Sequence, residues 1–249
     1  MDVQVMVQPG ASPATYEPRP RQVAAISRTH IYFAIGVPFE KIWLKKIAAA
    51  NPNMQVVHTD QGIQKIPMAA NHTKSEDHRG KDHQDHHGEL DPHIWLSPTL
   101  VMTQARTILN ALVEIDPGHR AVYEANTQVF VSKLAALDAD LKITFAGKQG
   151  FQFMVFHPSW GYFARTYGLQ QVPVEIEGKD PKPAQLKALI EHAKKKHINI
   201  IFVQPQFSSR NAELVAKEIG GQVIFADPLA SDWSDNLREV AQKLKAALR

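Results

Sequence analysis

Ile200-Ile201-Phe202-Val203 is apolar at every position. A short run of this kind suits a strand buried on both faces, and such strands belong to parallel sheets covered by helices on either side. The rest of the chain keeps to that scheme. β-rich runs at residues 3–7, 31–35, 55–58, 152–156, 172–176, 198–203 and 222–225 alternate with helical patterns at 39–50, 98–113, 184–197, 210–219 and 235–248. Helix 39–50 is expected to gather Phe39, Ile42, Trp43 and Ile47 on one side, and Gly220-Gly221 to end helix 210–219.

One helical pattern is longer than the others. No Pro or Gly interrupts the chain after Gly118 until past Phe145, and Val122, Phe130, Leu134, Leu137 and Leu141 recur at helical spacing. At 1.5 Å per residue this helix spans about 40 Å. Its central place predicts a strut between two lobes, with a long core helix as the plainer alternative. The expected fold is therefore α/β, with two lobes, each a mainly parallel β-sheet flanked by helices, joined by a long rigid helix. The boundaries that follow are an N-terminal lobe at 1–117, a connecting helix at 118–146 and a C-terminal lobe at 147–249.

Composition removes several function classes. Apolar residues make up 44% and charged residues 21%, as in ordinary globular chains. No run of 18 apolar residues exists to form a transmembrane segment. The net charge is only +3 and no basic run is dense enough to track phosphates, so nucleic acid is not an expected partner. Cysteine is absent, which excludes disulfides, thiolate metal sites and Cys nucleophiles. No HExxH, GxSxG or Gly-rich phosphate loop is present.

Histidine is where the composition departs from the ordinary. Of 12 His, six (His72, His78, His83, His86, His87 and His93) fall between residues 71 and 93, beside six acids and three bases. Residues 71–89 hold no apolar side chain, so the loop at 71–90 is expected to be too polar to order itself. A mixed-charge run is commonly a solvated face, but the added imidazoles point to metal. His30, His58, His119, His192 and His197 show no ligand spacing.

Three further positions carry possible chemistry. In Asp91-Pro92-His93-Ile94-Trp95-Leu96-Ser97-Pro98, His93 follows a rigid Pro and precedes residues that must be buried. Asp91 could fix its tautomer, which suits a metal ligand, although a hydrogen-bonded histidine beside a helix start fits the local sequence equally well. His157 stands where the apolar strand ending at Phe156 gives way to Pro158. The carboxyl ends of parallel strands line the crevice where such sheets bind ligands. Asp227, in Ile224-Phe225-Ala226-Asp227-Pro228-Leu229, occupies a third strand exit. There an Asx-type turn is the favoured local reading. Together, two imidazoles and a carboxylate would suit a divalent transition ion.

Taken in order, Pro9-Gly10-Ala11-Ser12-Pro13, Thr15-Tyr16-Glu17-Pro18, the octet from Asp91, Phe156-His157-Pro158-Ser159-Trp160-Gly161-Tyr162-Phe163, Val174-Glu175-Ile176-Glu177-Gly178-Lys179, Gln204-Pro205-Gln206-Phe207-Ser208 and the segment around Asp227 run almost the length of the chain. This series resembles the metal-binding receptors of bacterial ABC importers, the zinc- and manganese-type solute-binding proteins of cluster A-I. The resemblance implies a two-lobed receptor that holds one metal ion between its lobes. His93, His157 and Asp227 match its ligand positions, and the loop bearing His72, His78, His83, His86 and His87 matches the metal-collecting insertion of zinc members. It further implies Zn²⁺ as cargo, with Mn²⁺ or another divalent transition ion possible, an ABC permease and its ATPase as partners, a periplasmic or extracytoplasmic location, and no catalysis.

Two departures from the family pattern stand out. Ala14 replaces the His of the usual Pro-His-x-Tyr-Glu-Pro motif, which leaves a coordination position open to water or to a loop imidazole. No leader, strand or helix precedes the segment at 3–7, so the sequence as written carries no export signal and an N-terminal lobe without its first strand and helix is expected. The rival readings are a zinc-dependent hydrolase using the open position, with Glu175 or Glu177 as base, and a surface adhesin or zinc buffer on the same fold.

Overall fold

The computed structural model describes residues 2–69, 89–175, 179–207 and 209–247. The chain divides into two compact units: Met1–Gln64 with Pro98–Asp138, and Lys65–Ser97 with Ala139–Arg249.

The first unit holds a two-stranded parallel sheet of β1 (Ile31–Ala34) and β2 (Gln55–His58). With it go α1 (Pro20–Ile26), α2 (Pro38–Ala50), α3 (Pro98–Ile115) and most of α4 (Arg120–Thr144). Its core joins Ile26, Tyr32, Ala34, Ile47 and Met54, with Trp43 and Leu44 packed against them. Glu40 is buried and its carboxylate accepts the backbone N–H groups of Ile35, Gly36 and Val37, which fixes the entry to α2. Burial then pushes the Tyr32 phenol above its ordinary range, and the adjoining Glu40 carboxylate, which accepts the Tyr32 O–H, adds to the shift.

The second unit is built on a four-stranded parallel sheet in the order β4-β3-β5-β6. The strands are β3 (Gln152–Val155), β4 (Gln170–Pro173), β5 (Ile200–Val203) and β6 (Gln222–Phe225). The apolar run of β5 is covered on both faces, as its composition requires. Ile201 and Val203 pack with α6 (Pro183–Lys195) and α7 (Arg210–Ile219). Phe202 turns the other way, against Phe153 and Trp160. The same aromatic layer continues through Phe163 of α5 (Gly161–Thr166) to Phe145 and Tyr167. α8 (Trp233–Ala247) buries Leu237, Val240, Ala241 and Leu244.

Several expectations are corrected by the fold. Residues 3–7 form no strand, and Val3 and Val5 are exposed; alternation marks a face but supplies no partner for it. α1 and α5, at seven and six residues, are too short to show a helical period. The long helix runs Arg120–Thr144, and its apolar stripe is buried only at Leu134, Leu137 and Leu141, while Val122 and Phe130 are exposed. Ile42 likewise lies outside the buried face of α2. The expected strand at 172–176 ends early, at Pro173, which an edge strand tolerates because it has no N–H to donate.

Phe202→Ala should lower the stability of the second unit by about 3–5 kcal/mol, because the cavity would open beneath Phe153 and Trp160. Urea denaturation followed by tryptophan fluorescence measures this, and a change below about 1 kcal/mol would contradict the two-sided packing of β5.

Candidate metal centre

Parallel pairing delivers a row of polar groups to one edge of the second unit's sheet. β3 ends at Val155, and the next two residues are Phe156 and His157. On one side the bonding from β4 runs on past Pro173, with Val174 N–H donating to Val155 O at 2.7 Å and Glu175 N–H to Phe156 O at 3.1 Å. Glu175 therefore comes to lie beside His157. On the other side Phe156 N–H donates to Phe202 O, and Gln204 follows β5 directly. Asp227 follows β6, where Ala226 N–H donates to Val203 O. Across β4-β3-β5-β6 the strand ends present Glu175, His157, Gln204 and Asp227.

His157 is fixed from several directions. Its Nδ1 donates to Glu175 Oε1 at 2.7 Å. Buried Gln204 grips its backbone, accepting from His157 N–H at 3.2 Å and donating to His157 O at 2.6 Å, and also donates to Ser159 Oγ. The Phe207 ring stacks on the imidazole, with centroids 5.0 Å apart and planes 18° from parallel.

His93 arrives from the segment Lys65–Ser97 of the same unit. It immediately precedes a 3₁₀ turn, Ile94–Leu96, whose Ile94 and Leu96 are fully buried. Asp91 accepts both the His93 backbone N–H, at 2.9 Å, and Nδ1, at 2.7 Å. The Tyr162 hydroxyl anchors this stretch by donating to Asp91 O and accepting from Ile66 N–H. Gly161 makes room for it, since a Cβ there would stand 2.6 Å from Asp91 Oδ2.

The two imidazoles meet edge to face, with centroids 5.2 Å apart. Each Nδ1 is held by a carboxylate, which places a ring proton there, so that in a neutral ring the lone pair is on Nε2. Among the described residues no protein group takes either Nε2. Burial pushes the His93 pKa below the usual imidazole range, opposed by its bond to Asp91 and assisted by the neighbouring His157. His93 is thus neutral at neutral pH, in the state a metal ligand requires.

The carboxylates carry the electrostatic argument. Asp91 is fully buried and Glu175 is 5% exposed. Asp91 Oδ2 has no hydrogen-bond partner among the described residues. Among the described residues neither carboxylate pairs with Lys or Arg; their partners are the two histidines. Two buried anions beside a neutral imidazole favour a cation. The donor set, two imidazole nitrogens backed by carboxylates, suits Zn²⁺ or a neighbouring transition ion.

Asp227 does not bond to either histidine. Its Oδ1 accepts from Gln206 Nε2 at 3.1 Å and from Leu229 N–H at 3.0 Å, the second being the Asx turn that the local sequence favoured. Among the described residues no three His, Asp or Glu side chains stand as a group able to hold an ion. The Asp227 turn is nonetheless tied to the His93 turn, because Trp95 Nε1–H donates to Pro228 O at 2.8 Å. His72, His78, His83, His86, His87 and Glu177 lie outside the described residues. Glu175, considered as a base, is engaged with His157 instead.

The family described as zinc-uptake complex component A, periplasmic, matches residues 1–247. The chain belongs to this family. A crystal structure of ZnuA is 44% identical, covering 100% of this chain and 91% of that one, with a TM-score of 0.88. A ZnuA deletion mutant with zinc bound is 43% identical, covering 99% of this chain and 89% of that one, at a TM-score of 0.87. The high-affinity zinc uptake system protein ZnuA of Bacillus subtilis (strain 168) is 28% identical over 225 residues, 89% of this chain and 69% of that protein. This zinc-uptake family is one of solute-binding receptors rather than of enzymes. Among the described residues no helix is long and apolar enough to cross a membrane.

The sequence singles out His93 and His157, which the structure brings together, but not Gln204 and Phe207 as their supports. The available signal was a Gln directly after a wholly apolar strand, where a buried amide must find partners.

The depressed His93 pKa has a definite sign. An unfolded chain takes up a proton at His93 near pH 6.5, while the native protein does so only at lower pH. The metal-free protein should therefore lose stability as pH falls below about 6.5, and His93→Gln should remove that part of the loss. Urea midpoints at pH 7.5 and pH 5.5 measure it, and identical pH dependence in wild type and variant would contradict a buried neutral His93.

Proposed function

We propose that the protein is the extracytoplasmic receptor of a zinc import system, capturing Zn²⁺ at His93 and His157 and handing it to an ABC permease driven by its ATPase. The observation that carries this reading is the pair of neighbouring imidazoles, each with Nδ1 on a buried carboxylate and, among the described residues, with no protein partner at Nε2. Zinc accepts a tetrahedral set of nitrogen and oxygen ligands, and two Nε2 atoms supply half of it. Asp227 is the third ligand in this reading, released from Gln206 and drawn in by the ion. Ala14 contributes nothing, so water or a loop imidazole completes the set. Imidazole favours zinc over manganese, and Mn²⁺ is the weaker cargo.

The His-rich segment serves as a collector. Its flanks are stapled together where Met68 N–H donates to Glu89 O and Asp91 N–H to Ile66 O, beside a Pro67–Leu90 bridge. The residues that flank 70–88 are therefore held together just before His93, and in this reading the imidazoles between them add to the local ligand concentration there. Support for the transport role comes from family membership and from the zinc named in the relatives.

Isothermal titration tests the site. His157→Ala and His93→Ala should each weaken zinc binding by about 100-fold or more; unchanged affinity in both would overturn the reading. Deleting residues 71–89 should lower the number of ions bound while leaving one tight site. Equal stoichiometry before and after would refute the collecting role.

A further inference from the structure

We propose that Trp95 is a positioning residue of the metal site, its indole N–H leashing the Asp227 turn to the His93 turn so that the carboxylate stays within reach of the ion. The inference rests on the reading of His93, His157 and Asp227 as ligands.

The argument begins with how the Asp227-Pro228 turn is held. Its side chain is bonded by Gln206 and by Leu229 N–H. Pro228 has no N–H, so the turn cannot anchor itself by a donor at that position. It is secured through its carbonyls, with Asn236 Nδ2 donating to Asp227 O at 2.8 Å and Trp95 Nε1 to Pro228 O at 2.8 Å. Of these bonds, only the one from Trp95 comes from the segment that carries His93.

Trp95 is well placed to transmit position. It lies two residues after His93, on the turn whose Ile94 and Leu96 are fully buried, and its ring centroid is 5.1 Å from that of His93. Its own carbonyl accepts Trp233 Nε1–H at 2.8 Å, from the first residue of α8. The His93 turn, the Asp227 turn and the start of α8 thus form one bonded circuit. A part-buried indole needs some acceptor. Here the Trp95 N–H ties the two turns to each other directly, while the Trp233 N–H ties the His93 turn to the start of α8, which Asn236 joins to Asp227 O. Bringing Asp227 to an ion asks its side chain to leave Gln206. The leash at Pro228 keeps the backbone in place while that exchange happens.

Trp95→Phe separates positioning from packing, since it keeps an aromatic ring and removes the N–H. Isothermal titration with Zn²⁺ and Mn²⁺ should show zinc affinity falling about tenfold and manganese affinity falling further, because an oxygen ligand matters more to the harder ion. The unfolding midpoint of the metal-free variant should stay close to wild type. In an Asp227→Ala background Trp95→Phe should cost no further affinity, because its effect runs through the carboxylate. Trp233→Phe should shift the Zn²⁺/Mn²⁺ ratio in the same direction by a smaller factor, and it serves as the readout if Trp95→Phe does not fold. If Asp227→Ala weakens binding but neither tryptophan variant does, or if Trp95→Phe costs the same with and without Asp227, the leash is overturned. If Asp227→Ala leaves affinity unchanged, the ligand reading of Asp227 fails and the proposal fails with it.

Discussion

The structure around the candidate site depends on two short contacts, Asp91 to His93 and Glu175 to His157, each 2.7 Å and each made by a buried carboxylate. A carboxylate placed in the interior without a positive partner is costly, and the His93 imidazole, which burial disfavours charging, does not repay that cost for Asp91. Asp91 makes the imbalance plain, with one oxygen committed to His93 and the other without a partner among the described residues. The same contacts settle the tautomer, so two lone pairs end on Nε2 atoms of neighbouring rings. A divalent cation between them would satisfy the lone pairs and balance the carboxylates behind them.

Much of the second unit can be understood as the means of building those contacts. Parallel strands end together, and their order β4-β3-β5-β6 sets Glu175, His157, Gln204 and Asp227 side by side although they are distant in sequence. Gln204 locks the backbone of His157, and Phe207 fixes the plane of its ring. Opposite, Gly161 and the Tyr162 hydroxyl let Asp91 approach and hold it. Each support restricts a rotation that would turn one imidazole away from the other, as outer contacts do in metal sites.

The strands were legible because an all-apolar run and a β-rich segment before Pro are local signals. His157 followed from its strand exit, and His93 from the buried residues that follow it. The role of Glu175 was not legible, since its place beside His157 arises from the register between β3 and β4, which no local pattern states. Gln204 carried a local signal of a buried amide, but its partner His157 is set by the pairing of β3 with β5. The strand expected at 3–7 and the apolar stripe of the long helix, exposed at Val122 and Phe130, share one lesson. Periodicity tells which residues share a face, and tertiary packing decides whether anything covers it.

The central claim is that both histidines bind through Nε2 while their carboxylates remain on Nδ1. A crystal structure of the protein with zinc reads this directly. The account predicts His93 Nε2 and His157 Nε2 each about 2.0–2.1 Å from one ion, with Asp91 and Glu175 still bonded to the opposite ring nitrogens. Zinc bound elsewhere with the two imidazoles uncoordinated, or bound through Nδ1 with the carboxylates displaced, would contradict it.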